Sequence, residues 1–396
     1  MTMNAAQEAP SVRGHMTYAK ERAVYDADSH LMEVPGFIER HADADILERL
    51  PPLGLSKAGT ATYESIERAI QQAKKRAEGG VAIENVVAGA KGWAAPGAFD
   101  AAERSSALDD LGFAGQLVFS TFAGGQYLRH EDAAVRYGGV RAHNRAIAEF
   151  CARDPRLIAV GQVVLHDPER AVAEIREGVK LGCGAFWIPA TPAGERSPGH
   201  PDLDPVWQTL CDLKVPFMVH VGPNSQLLPR AYLNNGRPLP PDLIGGGENL
   251  RVRDFMLLSF APQMFLTALV FDGVFQRFPK LRGGVIELGA GWVPQFLRTL
   301  DASQKIFQRS DPQVAELELR ASEYIRRHMR FTPFPGEDVG QMIREAGPEL
   351  FLFSSDYPHP EGTDDPMGRF EHKMQGLDEP TKEQFYSLNF RYMMGN

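Results

Sequence analysis

The sequence predicts an α/β fold, and within it an eight-stranded βα barrel, on three observations. From about Val24 onward, short apolar runs alternate with segments of helical period, which is how parallel βα units read. That alternation suits a doubly wound sheet or a closed barrel, and the runs number eight, the barrel count. Asp-Pro pairs recur just before helical segments, repeating one unit of architecture along the chain.

The expected strands are Val24–Ala27, Gln116–Ser120, Ile158–Val164, Ala185–Ile188, Phe217–His220, Val285–Leu288, Met329–Phe331 and Leu350–Ser354. Between them, Ala142–Cys151 reads as a helix stopped before Asp154-Pro155. Asp167-Pro168 supplies an N-cap and a proline at the first helical position, and Asp204-Pro205 repeats the device before Val206–Leu213. Phe265–Phe278 reads as a helix ending at Pro279. Two stretches break the rhythm: residues 51–106, with a charged helix at Tyr63–Ala77, and residues 222–253, rich in Pro, Gly and Asn. Both follow strand C-termini, the face where barrel sites are assembled, so they are expected to act as lids.

The 396 residues carry a net charge of −9, with 43% hydrophobic and 23% charged residues, an ordinary globular balance. The acidic balance and the lack of a basic, aromatic-interleaved cluster argue against nucleic acid as a partner. Cys151, Cys183 and Cys211 are odd in number and widely spaced, which fits reduced packed thiols rather than a disulfide framework. Met1–Glu21 lacks an apolar signal core, and no run of about 18 apolar residues predicts a membrane span. The expectation is a cytoplasmic protein with a disordered tail over residues 1–22 and one barrel domain over 23–396.

The chemistry-bearing residues fall at strand ends. Asp26-Ala-Asp28-Ser-His30 places three polar side chains on one face of an extended segment. Phe217-Met-Val-His220-Val-Gly ends the fifth strand in an imidazole, and Phe351-Leu-Phe-Ser-Ser-Asp356-Tyr-Pro-His359 ends the eighth in a carboxylate. A lone Asp beside an apolar run is costly to bury without a compensating cation or donor. Asp28, His30, His220 and Asp356 together form a mixed nitrogen and oxygen set suited to zinc, manganese or iron.

In order and spacing, these motifs resemble the amidohydrolase-related family, in the branch that contains aminocarboxymuconate semialdehyde decarboxylase and the resorcylate decarboxylases. The matching pieces also include Asp109-Asp-Leu-Gly-Phe, Asp154-Pro-Arg-Leu-Ile, His166-Asp-Pro-Glu and Arg277-Phe-Pro-Lys-Leu-Arg. The resemblance implies a distorted (β/α)8 TIM-type barrel of the metal-dependent hydrolase type, with long insertions after strands 1 and 5. It also implies one divalent metal ion, zinc or manganese, held by Asp28, His30, His220 and Asp356.

Position 28 is His or Glu in many relatives. An Asp there makes the shell more anionic and favours a harder metal. The sixth strand departs further: where family decarboxylases carry a catalytic His, this chain has Glu287 in Val285-Ile-Glu287-Leu-Gly. Glu287 has three readings, as a proton shuttle, a further ligand, or the partner of an arginine such as Arg298.

The catalytic candidates are therefore Glu287, Asp356 and His359. His359 orients substrate, serves as an acid or base, or only shapes its loop. His166 reads as a loop or capping residue, Trp187 as core with a pocket wall as the other reading, and Glu33 as outer support. Arg251 and Arg253 are candidates for attracting an anion.

The function this predicts is a hydrolase or decarboxylase acting on a small anionic carboxylate, with aromatic ones among the candidates, or on a carbonyl compound. A non-catalytic barrel that binds a small ligand is the alternative. A doubly wound nucleotide-binding protein would need a Gly-rich turn after the first strand, which residues 25–33 lack. Small-molecule substrate is the expected partner, with no membrane; a homodimer is a family-level expectation.

Overall fold

The computed structural model describes residues 17–55, 60–79, 86–128, 130–222, 227–238 and 252–395. Its centre is a parallel seven-stranded sheet in sequential order: β1 (Val24–Leu31), β2 (Phe113–Ser120), β3 (Leu157–Gln162), β4 (Cys183–Trp187), β5 (Phe217–His220), β6 (Gly283–Ile286) and β7 (Met329–Phe331). The strands are buried along nearly their whole length and so on both faces, as parallel strands wrapped by helices must be.

The expected eighth strand is not a regular one. Residues 351–357 instead bridge the two sheet edges by isolated contacts, Phe331 with Phe351 and Ser29 with Tyr357. Leu352 N donates to Phe331 O (2.9 Å), and on the other side Ala27 N donates to Phe353 O (3.0 Å) and Asp356 N to Asp28 O (2.8 Å). The ring is thereby closed as a distorted barrel. On the other edge of β1, its ladder with β2 shifts register between Asp26 and Ser29.

Two layers of apolar packing follow from strand alternation. Ala27, Leu117, Phe119, Val160, Ala185, Trp187, Met218, Ile286 and Leu352 fill the interior, where Phe390 and Met393 of the last helix pack with them. The larger cluster lies between the sheet and the surrounding helices.

The helix signals are mostly realised. Asp132 and Asp167 cap Ala133–Cys151 and Pro168–Leu181, Asp167 accepting from Arg170 N. The second Asp-Pro pair works differently: Asp204 lies inside the first turn of Asp204–Leu213, and its carboxylate pairs with Arg277 Nη2 at 2.8 Å. The helix expected over 265–278 is split into Phe260–Phe271 and Val274–Arg277 by Gly273, whose φ of +73° ends the first piece. Val252–Phe271 is long and apolar enough to cross a bilayer by composition. It buries Phe265, Leu266, Leu269 and Val270 in the core.

Residues 17–22 correct the expected tail. Tyr18 N and Ala19 N donate to Asp110 O and Leu111 O, Tyr18 Oη donates to Asp365 Oδ1 (2.7 Å), and Ala19 is buried. Tyr18 supplies both an apolar ring and a hydroxyl donor, which accounts for this anchoring. Residues 1–16 lie outside the described residues.

In the insertion after β1, the charged helix spans Thr60–Ala77. The far end of this insertion reaches the segment beyond Asp356, through Gly92 N to Pro358 O (2.7 Å), Lys91 Nζ to Thr363 O (2.9 Å) and Tyr357 Oη to Pro96 O (2.6 Å). Much of the insertion after β5 lies outside the described residues.

Candidate metal centre

Four strand ends deliver five side chains to one point on the C-terminal face of the barrel. Asp28 and His30 come from β1, both almost fully buried, with Asp28 Oδ1 3.2 Å from His30 Nε2. His220 ends β5, with Nε2 3.3 Å from Asp28 Oδ1. Its Nδ1 lies 2.8 Å from Val221 O; donating that proton leaves the Nε2 lone pair facing the carboxylates.

Glu287 follows β6, with Oε2 3.3 Å from His220 Nε2 and 3.7 Å from His30 Nε2. Asp356 stands on the closing segment, with Oδ1 3.4 Å from His30 Nε2. Glu287 and Asp356 both occupy the left-handed region, φ 53° and 55°. Non-glycine residues pay for that conformation, and it persists where the surroundings need the side chain aimed one way.

Lone pairs converge here without the protons that would bind them together. His30 Nε2 faces three carboxylates, yet it makes no acceptable hydrogen bond with any of them. Asp356 Oδ1 is likewise buried without a hydrogen-bond partner. Burial lowers the pKa of His30 to about 3, so its imidazole is neutral. Burial works to raise Asp28, but the His220 and His30 imidazoles beside its Oδ1 outweigh it and hold the carboxyl below its usual range. Burial, then the charge of Asp28, pushes Asp356 well up. A divalent cation relieves all of these conflicts at once, and the cluster Asp28, His30, His220 and Glu287 is compact enough to hold one.

A second ring of residues fixes this geometry, and sequence reading reached only part of it. Arg104 is fully buried behind β1, where it donates to Gly97 O (2.8 Å), to Gln116 Oε1 (3.3 Å) and to the backbone carbonyl of His30. Gln116 Nε2 passes the bond on to Asp26 Oδ2 (2.8 Å), which also accepts from Ser355 Oγ (2.6 Å), while Asp26 Oδ1 accepts from Ser355 N (2.8 Å). Asp26 thus ties β1 to the closing segment, one step below the cluster.

Glu33, expected as outer support, accepts from Thr121 N, Phe122 N and Ala123 N. It reaches the cluster only through Thr121, whose Oγ1 lies 3.0 Å from His359 Nε2. Glu337 plays a matching part across the mouth, accepting from Ala290 N, Gly291 N and Phe334 N.

The metal and catalytic candidates Asp28, His30, His220, Glu287, Asp356 and His359 therefore lie together. Arg298 is not the partner of Glu287: it meets Gln295 and Glu345. His166 lies away from the cluster, beside a cavity of about 300 Å³ that Leu128 and Arg136 also line. Trp187 packs its ring 5.0 Å from that of His220 and is nearly buried, so it is core and wall at once. Arg253 is exposed and donates to Tyr232 O, and Arg251 lies outside the described residues.

Above the cluster is a cavity of about 640 Å³. Asp28, Glu287 and Asp356 line its floor, and Val221, Phe255, Leu258, Phe334 and Pro333 its walls. No Lys or Arg is among its described lining residues.

A family model described as Amidohydrolase matches residues 25–389. Among solved structures, an amidohydrolase from Mycobacterium avium subsp. paratuberculosis K-10 is 23% identical, with a TM-score of 0.74 over 95% of this chain and 100% of that one. A 5-carboxyvanillate decarboxylase from Novosphingobium aromaticivorans DSM 12444, holding manganese and 3-methoxy-4-hydroxy-5-nitrobenzoic acid, is 17% identical, with a TM-score of 0.63 over 96% and 99%. A dihydroxybenzoic acid decarboxylase from Polaromonas sp. JS666, with manganese and 2-nitroresorcinol, is 17% identical, with a TM-score of 0.60 over 94% and 97%. At these identities the likeness is one of fold.

Proposed function

The chain belongs to the amidohydrolase family of enzymes, and on that premise we propose a metal-dependent hydrolase of small, largely apolar carbonyl compounds, aromatic esters, amides or lactones first among them. One observation carries the reading: buried imidazole and carboxylate donors converge at the floor of an apolar cavity of about 640 Å³. Asp28, His30, His220 and Asp356 are the proposed ligands, with Glu287 as a fifth because its Oε2 sits between the two imidazoles. Three carboxylates favour a hard ion, and manganese suits them better than zinc.

A divalent ion held there would polarise a carbonyl oxygen and lower the pKa of water. The residues of the chain do the remaining work. Phe255, Leu258 and Phe334 receive the apolar body and exclude bulk water from the reacting carbonyl. Asp356, which lines the cavity floor, accepts the proton of the attacking water once it is ionised. His359 is fully buried and kept neutral by that burial, with a pKa of about 4. A neutral ring holds no imidazolium proton to deliver to carbon, which favours hydrolysis over decarboxylation.

The acidic floor also limits the charge a substrate can carry. The expected anionic substrate would find no described Lys or Arg in the wall, so any carboxylate it has must face the ion. Decarboxylation of an aromatic carboxylate is the second reading. It is favoured by the apolar cavity and by the aromatic ligands seen in proteins of similar fold.

Manganese-loaded protein assayed on aromatic esters, amides and lactones, and separately on aromatic carboxylates for CO2 release, tests both. Hydrolysis that is abolished by Asp356→Asn supports the first reading. CO2 release without hydrolysis replaces it with the second, and inactivity on every class refutes the two together.

A further inference from the structure

We infer that the cavity of about 300 Å³ apart from the metal cluster binds small organic carboxylates, with Arg136 as the anchor of the carboxylate group. The inference needs neither the ion nor the reaction proposed above. The segments that follow β3 and β4 and the start of the helix Ala133–Cys151 enclose this cavity. Its lining shares no residue with that of the larger cavity, and the two differ in charge. Carboxylates floor the larger, whereas a guanidinium and an imidazole face the smaller.

The charge of Arg136 is unpaired. Two other arginines of the same helix, Arg141 and Arg145, pair with Asp43 at 3.0 and 2.6 Å. Arg136 has no carboxylate partner among the described residues: Nη1 donates to His130 O at 3.0 Å, and Nε is buried with no acceptor. Asp167, whose charge acts on the adjoining Tyr137, is engaged by Arg170, through Nε at 3.3 Å and the backbone N at 3.2 Å. The Arg136 guanidinium also lies 5.6 Å from the centre of the Tyr137 ring. One neutral carbonyl and one aromatic face therefore orient the fork, and neither takes up its charge.

Two further donors share the lining. The side chains of His166 and Thr191 make no hydrogen bond to a described residue. Burial, then the charge of Arg136, lowers the pKa of His166, so its ring is neutral near pH 7 and offers one N–H. Leu128, Val164, Pro189 and Pro192 supply apolar wall.

This composition selects the ligand class. A single guanidinium fork matches one carboxylate through two parallel hydrogen bonds, and the apolar walls take a hydrocarbon body. An inorganic anion would leave those walls unfilled, and a neutral ligand would leave the guanidinium uncompensated.

Calorimetric titration of full-length, manganese-loaded protein with benzoate, and with benzyl alcohol as its uncharged counterpart, provides the test. Wild type should bind benzoate about 10-fold or more tighter than the alcohol. Arg136→Gln should weaken benzoate binding by about 10- to 100-fold, and His166→Gln, a substitution at an exposed position, by about 3- to 10-fold. Benzoate held by the metal ion instead would bind both variants as tightly as wild type, and that result overturns the inference. Equal affinity for the alcohol, or no binding of benzoate to wild type, overturns it as well and leaves the hydrolase reading untouched.

Discussion

Arg104→Met removes a charge that sits behind the metal cluster without touching it. Three buried acceptors lose a donor: Gly97 O, Gln116 Oε1 and the carbonyl of His30. The guanidinium also lies 5.0 Å from the centre of the Tyr357 ring, a contact worth about 1 kcal/mol. Each orphaned acceptor costs about 1–3 kcal/mol, and removing a buried charge returns part of that sum, so the net loss should be about 3–5 kcal/mol. Such a loss is a large share of the roughly 5–15 kcal/mol that holds a domain folded.

Because one of those acceptors belongs to His30 itself, manganese affinity should also fall, by about 10- to 100-fold. Urea unfolding of variant and wild type in excess metal reads the first quantity, and calorimetric titration of the stripped proteins reads the second. A midpoint shift worth less than about 1 kcal/mol, together with unchanged affinity, would refute the claim that Arg104 anchors the site.

The remaining expectations are more local. Gly362→Ala should lower both stability and metal content, because a Cβ there would lie 2.6 Å from Ser355 O and 2.9 Å from Asp356 O, neither of which can yield; normal manganese content in the variant would sink this. Chelation should lower the unfolding midpoint of wild type, with about 2.7 kcal/mol at stake when free metal stands at about 100 times its Kd, while His220→Ala protein should barely respond. Burial raises Glu33 from 4.5 to about 7, so its contribution is full below the unfolded value and lost as pH rises through 7. Relative to Glu33→Gln, wild type should therefore lose stability between pH 5 and pH 8, by on the order of 3 kcal/mol at most; parallel pH profiles in urea titrations would contradict it.

The barrel and its donor residues were legible because both are local signals. A strand is a run of apolar residues, and a candidate donor at its end is the next polar side chain, so the placement of His220 and Asp28 at one barrel end could be read directly. Glu287 was legible as a departure, but only three-dimensional placement could set its Oε2 between two imidazoles. Arg104 gave no signal, since its partners His30 and Gln116 lie on other elements and a buried arginine looks like any helix-surface arginine in sequence. The eighth strand was misread for a related reason: Phe351–Ser354 has strand composition, but it meets β7 and β1 only through isolated contacts rather than a continuous ladder. Tyr18 escaped notice because one aromatic in a polar segment has no periodicity.

The seam between Asp26 and Ser355 joins residues 329 positions apart, and it stands directly under the proposed ligands. On a ribosome, the first pair of donors is made early and the last only after nearly the whole barrel has been synthesised. A nascent chain therefore has no complete cradle to load, and metal cannot template the early strands. If the proposed residues hold an ion, its capture is the closing event of biosynthesis, and a chain interrupted before Ser355 would lack both the seam and the full cradle.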